Sequence, residues 1–219
     1  MSIQENLISL KNKIPQSVTL VAVSKTKPVS DLMEAYNAGQ RIFGENKIQD
    51  MVDKYNQMPK DIKWQMIGHV QRNKVKYMAS FVNLIHAVDS LKLLEEINKQ
   101  AMKHNRIIDC LLQIKIAKEE SKFGLSKEEA LTILNSKTYS ECSNVNIVGL
   151  MGMSTFTYNL EQVRKEFQFL KTVFDEFKKQ QPIFQTLSMG MSGDYNLAID
   201  CGSNMIRVGS SIFGARNYF

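Results

Sequence analysis

The sequence predicts a (β/α)8 barrel, and three observations carry the prediction. Eight apolar or β-branched runs recur along the chain, polar turns and stretches of helical periodicity separate them, and 219 residues is a length at which such barrels close as one unit. Strands that alternate with helices imply right-handed crossovers and a parallel sheet, with a doubly wound open sheet as the alternative architecture. One domain over residues 1–219 is expected, because the 4 prolines and 11 glycines are spread out and no linker or low-complexity tract interrupts the pattern.

The first element is an amphipathic helix, Ile3 to Lys13, ahead of the first strand. The strands are read as Val18 to Lys25, Arg41 to Glu45, Trp64 to Gly68, Phe81 to Val88, Ile107 to Ile116, Val145 to Met151, Phe184 to Met189 and Met205 to Phe213. Val18, Leu20, Val21, Ala22 and Val23 suit a strand buried on both faces, and Lys27-Pro28 stops it because proline cannot continue a ladder. Helical stretches cover Ser30 to Ala38, Asn46 to Gln57, Ser90 to His104, Ser126 to Ser136 and Asn159 to Gln180. Ser126 with Glu129 makes a capping-box pattern, and Ser90 precedes Leu91, Leu94 and Ile97 at helical spacing. The stretch after Gln71 is ambiguous.

Composition narrows the classes of function. A hydrophobic content of 43% and a charged content of 23% are ordinary for a soluble protein, and no apolar stretch approaches the ~18 residues of a membrane span. The segment Met1 to Lys11 lacks a basic region followed by an apolar one, which predicts a cytoplasmic address. Cys110, Cys142 and Cys201 are odd in number and far apart, so reduced structural thiols are expected and no metal site. The net charge of +6 suits an anionic ligand, yet the lysines scatter through helical stretches. The aromatic and basic interleaving of an RNA-binding sheet is missing, so neither a membrane nor a specific nucleic acid is an expected partner.

In a barrel, chemistry belongs where strands end. Lys25 closes the first run, where desolvation and the neighbouring Lys27 would lower its pKa and free its lone pair for a carbonyl; the alternative is a surface lysine capping a strand. The loops after strands seven and eight carry Ser188, Gly209, Ser210 and Ser211, and this is where barrels often bind phosphate; the alternative is a pair of tight turns with serine caps. Pyridoxal 5′-phosphate combines an aldehyde for Lys25 with a phosphate for Gly209 and Ser210. Arg207 is positioned for the pyridine nitrogen, or for a salt bridge across the barrel. Asn46 suits the ring hydroxyl or a helix N-cap. His69 and His86 are left outside the site, since packing histidines are the commoner case.

The segments Ala22 to Pro28, Phe43 to Asn46, Ile67-Gly68 with Gln71, Asn73 and Lys74, Ser121 to Gly124, Gly149 to Met151, Leu187 to Ser192 and Gly202 to Arg216 together resemble the YggS/PROSC family of pyridoxal-phosphate homeostasis proteins. The resemblance spans essentially the whole chain. It implies a barrel like the alanine racemase N-terminal domain, of fold type III, holding the cofactor through a lysine Schiff base without an established turnover. It further implies Lys25 as the cofactor lysine, Asn46 as a ring-side contact, Ile67 as pocket lining, Arg207 beside the ring, and Ser188, Gly209 and Ser210 as phosphate contacts. Ser210 stands where the family usually has threonine, and His69 where a proline is common. The implied role is vitamin B6 homeostasis, as a buffer or carrier for PLP-dependent apo-enzymes, with no catalytic residue; separately from the resemblance, a monomer is expected because there is no second domain to pair. Two alternatives stand beside it. One is a racemase-type enzyme with weak one-base activity, disfavoured because the chain ends at Phe219 with nothing left to build a second domain. The other is a sugar-phosphate barrel enzyme in which Lys25 forms a Schiff base with substrate, with Glu45 and Asp89 as the acidic general-base candidates at strand ends.

Overall fold

In the computed structural model, which describes residues 2–117 and 123–215, parallel strands close into a barrel in the order β1 to β8. The strands are β1 Thr19–Val23, β2 Ile42–Glu45, β3 Lys63–Met66, β4 Leu84–Val88, β5 Ile108–Gln113, β6 Val145–Met151, β7 Thr186–Ser188 and β8 Met205–Val208. Helix α1 Ile3–Lys13 precedes β1. The crossovers use α2 Val29–Asn37, α3 Ile48–Gln57, α4 Leu91–Lys103, α5 Lys127–Leu134 with α6 Lys137–Ser140, α7 Leu160–Gln180 and α8 Tyr195–Asp200, and α9 Ser210–Phe213 follows β8. An open doubly wound sheet is excluded because β1 pairs with β8, setting Thr19 opposite Met205 and Val21 opposite Arg207.

Boundaries follow local chemistry. Ser2 and Ser126 each accept from the backbone N–H three residues on while Glu5 and Glu129 reach back, two complete capping boxes. The run Met205 to Phe213 is not one strand: it divides at Gly209, after which Ser210–Phe213 coils into a helical turn. The run from Phe81 becomes strand only at Leu84, because the Phe81 and Val82 N–H groups both donate to Met78 O and finish the turn behind a 3₁₀ segment, Arg72–Tyr77. That segment is what the ambiguous stretch after Gln71 forms. Ser121, Lys122 and Arg216, which belong to two of the motifs, lie outside the described residues. Among the described residues no helix is long and apolar enough to cross a membrane.

Period-two alternation sorts the strand residues into two cores. Leu20 and Ala22 pack outward with the helices, whereas Val21 joins Leu84, Ala87, Leu111, Met151 and Met205 in a separate cluster inside the barrel. Where β7 and β8 share a single ladder pair, side chains finish the seam: Leu187 N–H donates to Asn204 Oδ1 at 2.8 Å and Ser203 Oγ–H to Met189 O at 2.7 Å. The β5–β6 register shifts near Gly149, whose absent Cβ leaves room for the Thr186 carbonyl oxygen of β7.

The barrel also holds a polar layer, with Gln65, His86, Ser188 and Arg207 all at most 4% exposed. Arg207 Nη1 donates to Ser188 Oγ at 2.6 Å, Ser188 Oγ lies 3.1 Å from His86 Nδ1, and His86 Nε2 lies 2.7 Å from Gln65 Oε1. A guanidinium can only donate, so the serine hydroxyl passes its proton toward Nδ1, and the imidazole carries its hydrogen on Nε2. Burial, then the nearby Arg207 charge, holds the His86 pKa well below its ordinary value, so the ring is neutral.

Two outcomes are expected. In Gly149→Ala the new methyl meets backbone on β7, and chemical denaturation should read a loss of about 3 kcal/mol; a loss under about 1 kcal/mol would show that the seam can open freely. Because the folded-state pKa of His86 is depressed, its contribution is fully present above the unfolded value near ~6.5 and is lost as pH falls below it, by up to ~1.4 kcal/mol per pH unit. A glutamine side chain keeps an acceptor and a donor but does not titrate, so His86→Gln should flatten the slope of stability between about pH 6.5 and 5 relative to wild type; identical slopes would contradict a neutral buried imidazole.

Candidate functional site

A cavity of about 540 Å³ opens at the carboxyl ends of the strands, within the ~300–1,000 Å³ typical of small-molecule sites. Lys25, Asn46, Ile67, Arg207, Gly209 and Ser210 line it, arriving from strands, loops and a helix start widely separated in sequence. Lys25 is half-buried on a turn directly after β1. Lys27 reaches the cavity too, but its Nζ donates to Phe213 O at 2.7 Å and Ala215 O at 3.1 Å, tying the first loop to the end of α9.

Asn46 follows β2 and is not a helix cap, since Lys47 holds that position at α3. A side chain on Gly68 would collide with the Asn46 carbonyl, so glycine lets the loops after β2 and β3 nest together. Ile67 N–H donates to Glu45 O at 2.9 Å, which sets its side chain on the cavity wall.

Arg207 projects from β8 into the floor. Its Nη1 donates to Ser188 O at 2.9 Å as well as to the hydroxyl, and Nη2 donates to Gly152 O at 3.0 Å. No salt bridge to it crosses the barrel among the described residues. Burial lowers its pKa to about 10, with Asp194 favouring the charged form, so it remains a cation near neutrality.

Ser188 is the residue whose placement differs from expectation. It is 0% exposed and absent from the cavity lining, because the β7 register turns it into the barrel beneath the floor, where its hydroxyl serves Arg207 and His86. Ser192, in the same motif, lines the cavity instead and accepts from Gly209 N–H at 3.2 Å. Gly209 is the N-cap of α9 and lies so near Val23 that a Cβ would sit 3.1 Å from the Val23 oxygen. The first N–H groups of α9, at Ser210 and Ser211, have no intrahelical acceptor.

Both histidines prove relevant. His86 lies under the floor, and His69 lines the cavity with Nδ1 3.2 Å from Asp89 Oδ2 and its ring stacked 4.7 Å from Phe123. The Ile-Gly-His sequence at the end of a strand is the signal that could have placed His69 there. Among the described residues the lining contains Lys25, Lys27 and Arg207 but no carboxylate. Glu45 turns outward to Lys54 and Asp89 lies against His69, so neither carboxylate, the two acidic candidates of the sugar-phosphate alternative, lines the cavity.

The chain matches the family described as alanine racemase, N-terminal domain, over residues 1–217. It is 37% identical to the pyridoxal phosphate homeostasis protein of Vibrio alginolyticus, covering 99% of each chain. It is 39% identical to the one of Homo sapiens, covering 91% of this chain and 77% of the human one. Among solved structures, PipY of Synechococcus elongatus is similar at 34% identity over 97% of this chain and 100% of PipY, with a TM-score of 0.92 without PLP and 0.88 with PLP bound. Alanine racemase of Clostridium difficile, at 13% identity, shares the fold: a TM-score of 0.80 over 99% of this chain and 56% of the racemase. The chain belongs to the pyridoxal phosphate homeostasis protein family, built on the alanine racemase N-terminal domain fold.

Proposed function

We propose that this protein binds pyridoxal 5′-phosphate in the barrel-end cavity and acts in vitamin B6 homeostasis as a buffer or carrier. The observation that carries the reading is one cavity that holds an amine at one strand end, a buried cation in its floor and the start of α9 at its edge, with no carboxylate in its lining among the described residues. When bound, the cofactor supplies an aldehyde for an amine and a ring that draws electrons. Lys25 supplies the amine. Arg207 faces the ring side as a donor that stays protonated, so it orients the ring without giving up a proton. Asn46 offers its amide to a ring substituent, and Ile67 packs on the wall. Gly209, where no side chain blocks the approach, and Ser210, with its backbone N–H and hydroxyl, receive the phosphate, while Ser188 acts indirectly, by holding Arg207.

A carrier is favoured over a racemase because the relative matched over 99% of its length is named for homeostasis. Phe123 and Phe156 line the cavity with exposed side chains, an apolar surface that suits contact with PLP-dependent apo-enzymes during delivery. The buried free thiols Cys110, Cys142 and Cys201 suit a reducing cytoplasm, and we take the working form to be a single-domain monomer.

Purified protein loaded with PLP should show a visible absorption band that borohydride abolishes and that Lys25→Ala never develops. A colourless wild type after incubation with PLP would sink the cofactor reading. Pyridoxal, which lacks the phosphate, should bind at least ~100-fold more weakly than PLP, since charge-assisted bonds to phosphate contribute ~1.5–3 kcal/mol each. Equal affinities by fluorescence titration would remove the phosphate role from Gly209 and Ser210.

A further inference from the structure

Lys25 occupies the second position of a four-residue turn, Ser24 to Lys27, closed by Lys27 N–H donating to Ser24 O at 3.1 Å. Thr26, the third residue, has φ 64°. Type II turns require a positive φ there, which glycine or asparagine adopts readily and a β-branched residue holds only under strain. The residue that presents the amine therefore sits on a turn that its own sequence disfavours.

A buried ion pair grips that turn from below. The Ser24 carbonyl accepts a second bond from Lys54 Nζ at 2.8 Å, and Ser24 Oγ–H donates to Glu45 Oε1 at 2.6 Å. The same carboxylate oxygen accepts from Lys54 Nζ at 2.6 Å. Ser24 and Glu45 are 0% exposed and Lys54 8%, while Glu45 Oε2 is buried with no hydrogen-bond partner. Desolvation pushes the Glu45 carboxyl above its ordinary range against the pull of Lys54. A pair this buried and incompletely satisfied is a poor source of stability, since removing two charges from water offsets their attraction. What its geometry does accomplish is to fix the carbonyl immediately before Lys25. Glu45 also directly precedes Asn46, so one pair anchors the ends of β1 and β2 at the cavity.

We infer that Glu45 and Lys54 are positioning residues that hold the strained Ser24–Lys27 turn and so deliver the Lys25 amine into the cavity, an inference that rests on the cofactor reading above. The test compares wild type, Glu45→Gln/Lys54→Met, and the same double variant with Thr26→Gly, each titrated with PLP and followed by the rate at which the visible band forms. The double variant removes both charges at similar volume and should bind PLP about tenfold more weakly and develop the band about tenfold more slowly. Glycine accepts the turn conformation unaided, so the triple variant should regain most of both, a rescue not expected of a pair that merely stabilises the barrel. A double variant equal to wild type, or a triple variant no better than the double, overturns the inference. If the double variant does not fold, Ser24→Ala replaces it, with a weakening of about threefold that Thr26→Gly reverses; no weakening overturns it. A wild type that forms no band defeats the cofactor reading and this inference with it, whereas a wild-type band beside an unchanged double variant defeats the inference alone.

Discussion

A guanidinium only 4% exposed inside a barrel must be surrounded by acceptors, and the rest of the site depends on how that is done. Arg207 takes the Ser188 and Gly152 carbonyls and the Ser188 hydroxyl, the hydroxyl is handed on to His86, and His86 turns its other nitrogen to Gln65. The chain of bonds runs through β8, β7, β4 and β3, so one donor-only residue dictates the tautomer and orientation of side chains on three other strands. Barrel interiors are ordinarily filled by branched apolar layers, as the cluster around Val21 and Leu111 is here. Replacing one layer by a directional network gives the cavity a floor that is charged and rigid, because each member has its partner fixed by the one before.

Backbone proximity builds the rim. Gly68 nests against Asn46, and Gly209 lies against Val23, so loops from neighbouring strands approach more closely than side chains would permit. Helix α1, which stands outside the repeating pattern, braces the far side: Asn6 Nδ2 donates to Ile212 O at 3.1 Å while Lys27 holds Phe213 O. The short α9, whose first N–H groups face the proposed phosphate, is thus pinned at its C-terminal end by the first helix and the first loop. A four-residue helix has little stability of its own, and these contacts supply it.

How much of this is legible in the sequence depends on the range of the interaction. The strands, α1 and the capping boxes follow from periodicity and local pairs, and Lys25 stands out because a polar residue ending an apolar run is a local signal. Ser188 escapes correct placement because a three-residue strand gives too little alternation to fix its phase, and only the register against Met151 and Met205 turns it inward. His86 has no local sign of its role, since its meaning depends on an arginine at the other end of the chain. The β8–α9 boundary is hidden because Ile212 and Phe213 are as apolar as strand residues, and a short apolar run fits strand and helix equally. Ile67 enters through family resemblance alone.

The arrangement bears on why such a barrel would keep a reactive aldehyde without consuming it. An electron sink needs a protonated ring nitrogen, and a group facing that nitrogen can supply the proton only if its own acidity is comparable. Arg207, with a pKa lowered only to about 10 and three of its hydrogens directed at Ser188 and Gly152, is a donor that keeps its proton. In the proposed complex the amine of Lys25 would capture the aldehyde while the ring stayed a weak acceptor of electrons, and no carboxylate lines the cavity among the described residues to act as a base. In that complex Lys25 would supply the capture and Arg207 the weak activation, a combination that suits a carrier.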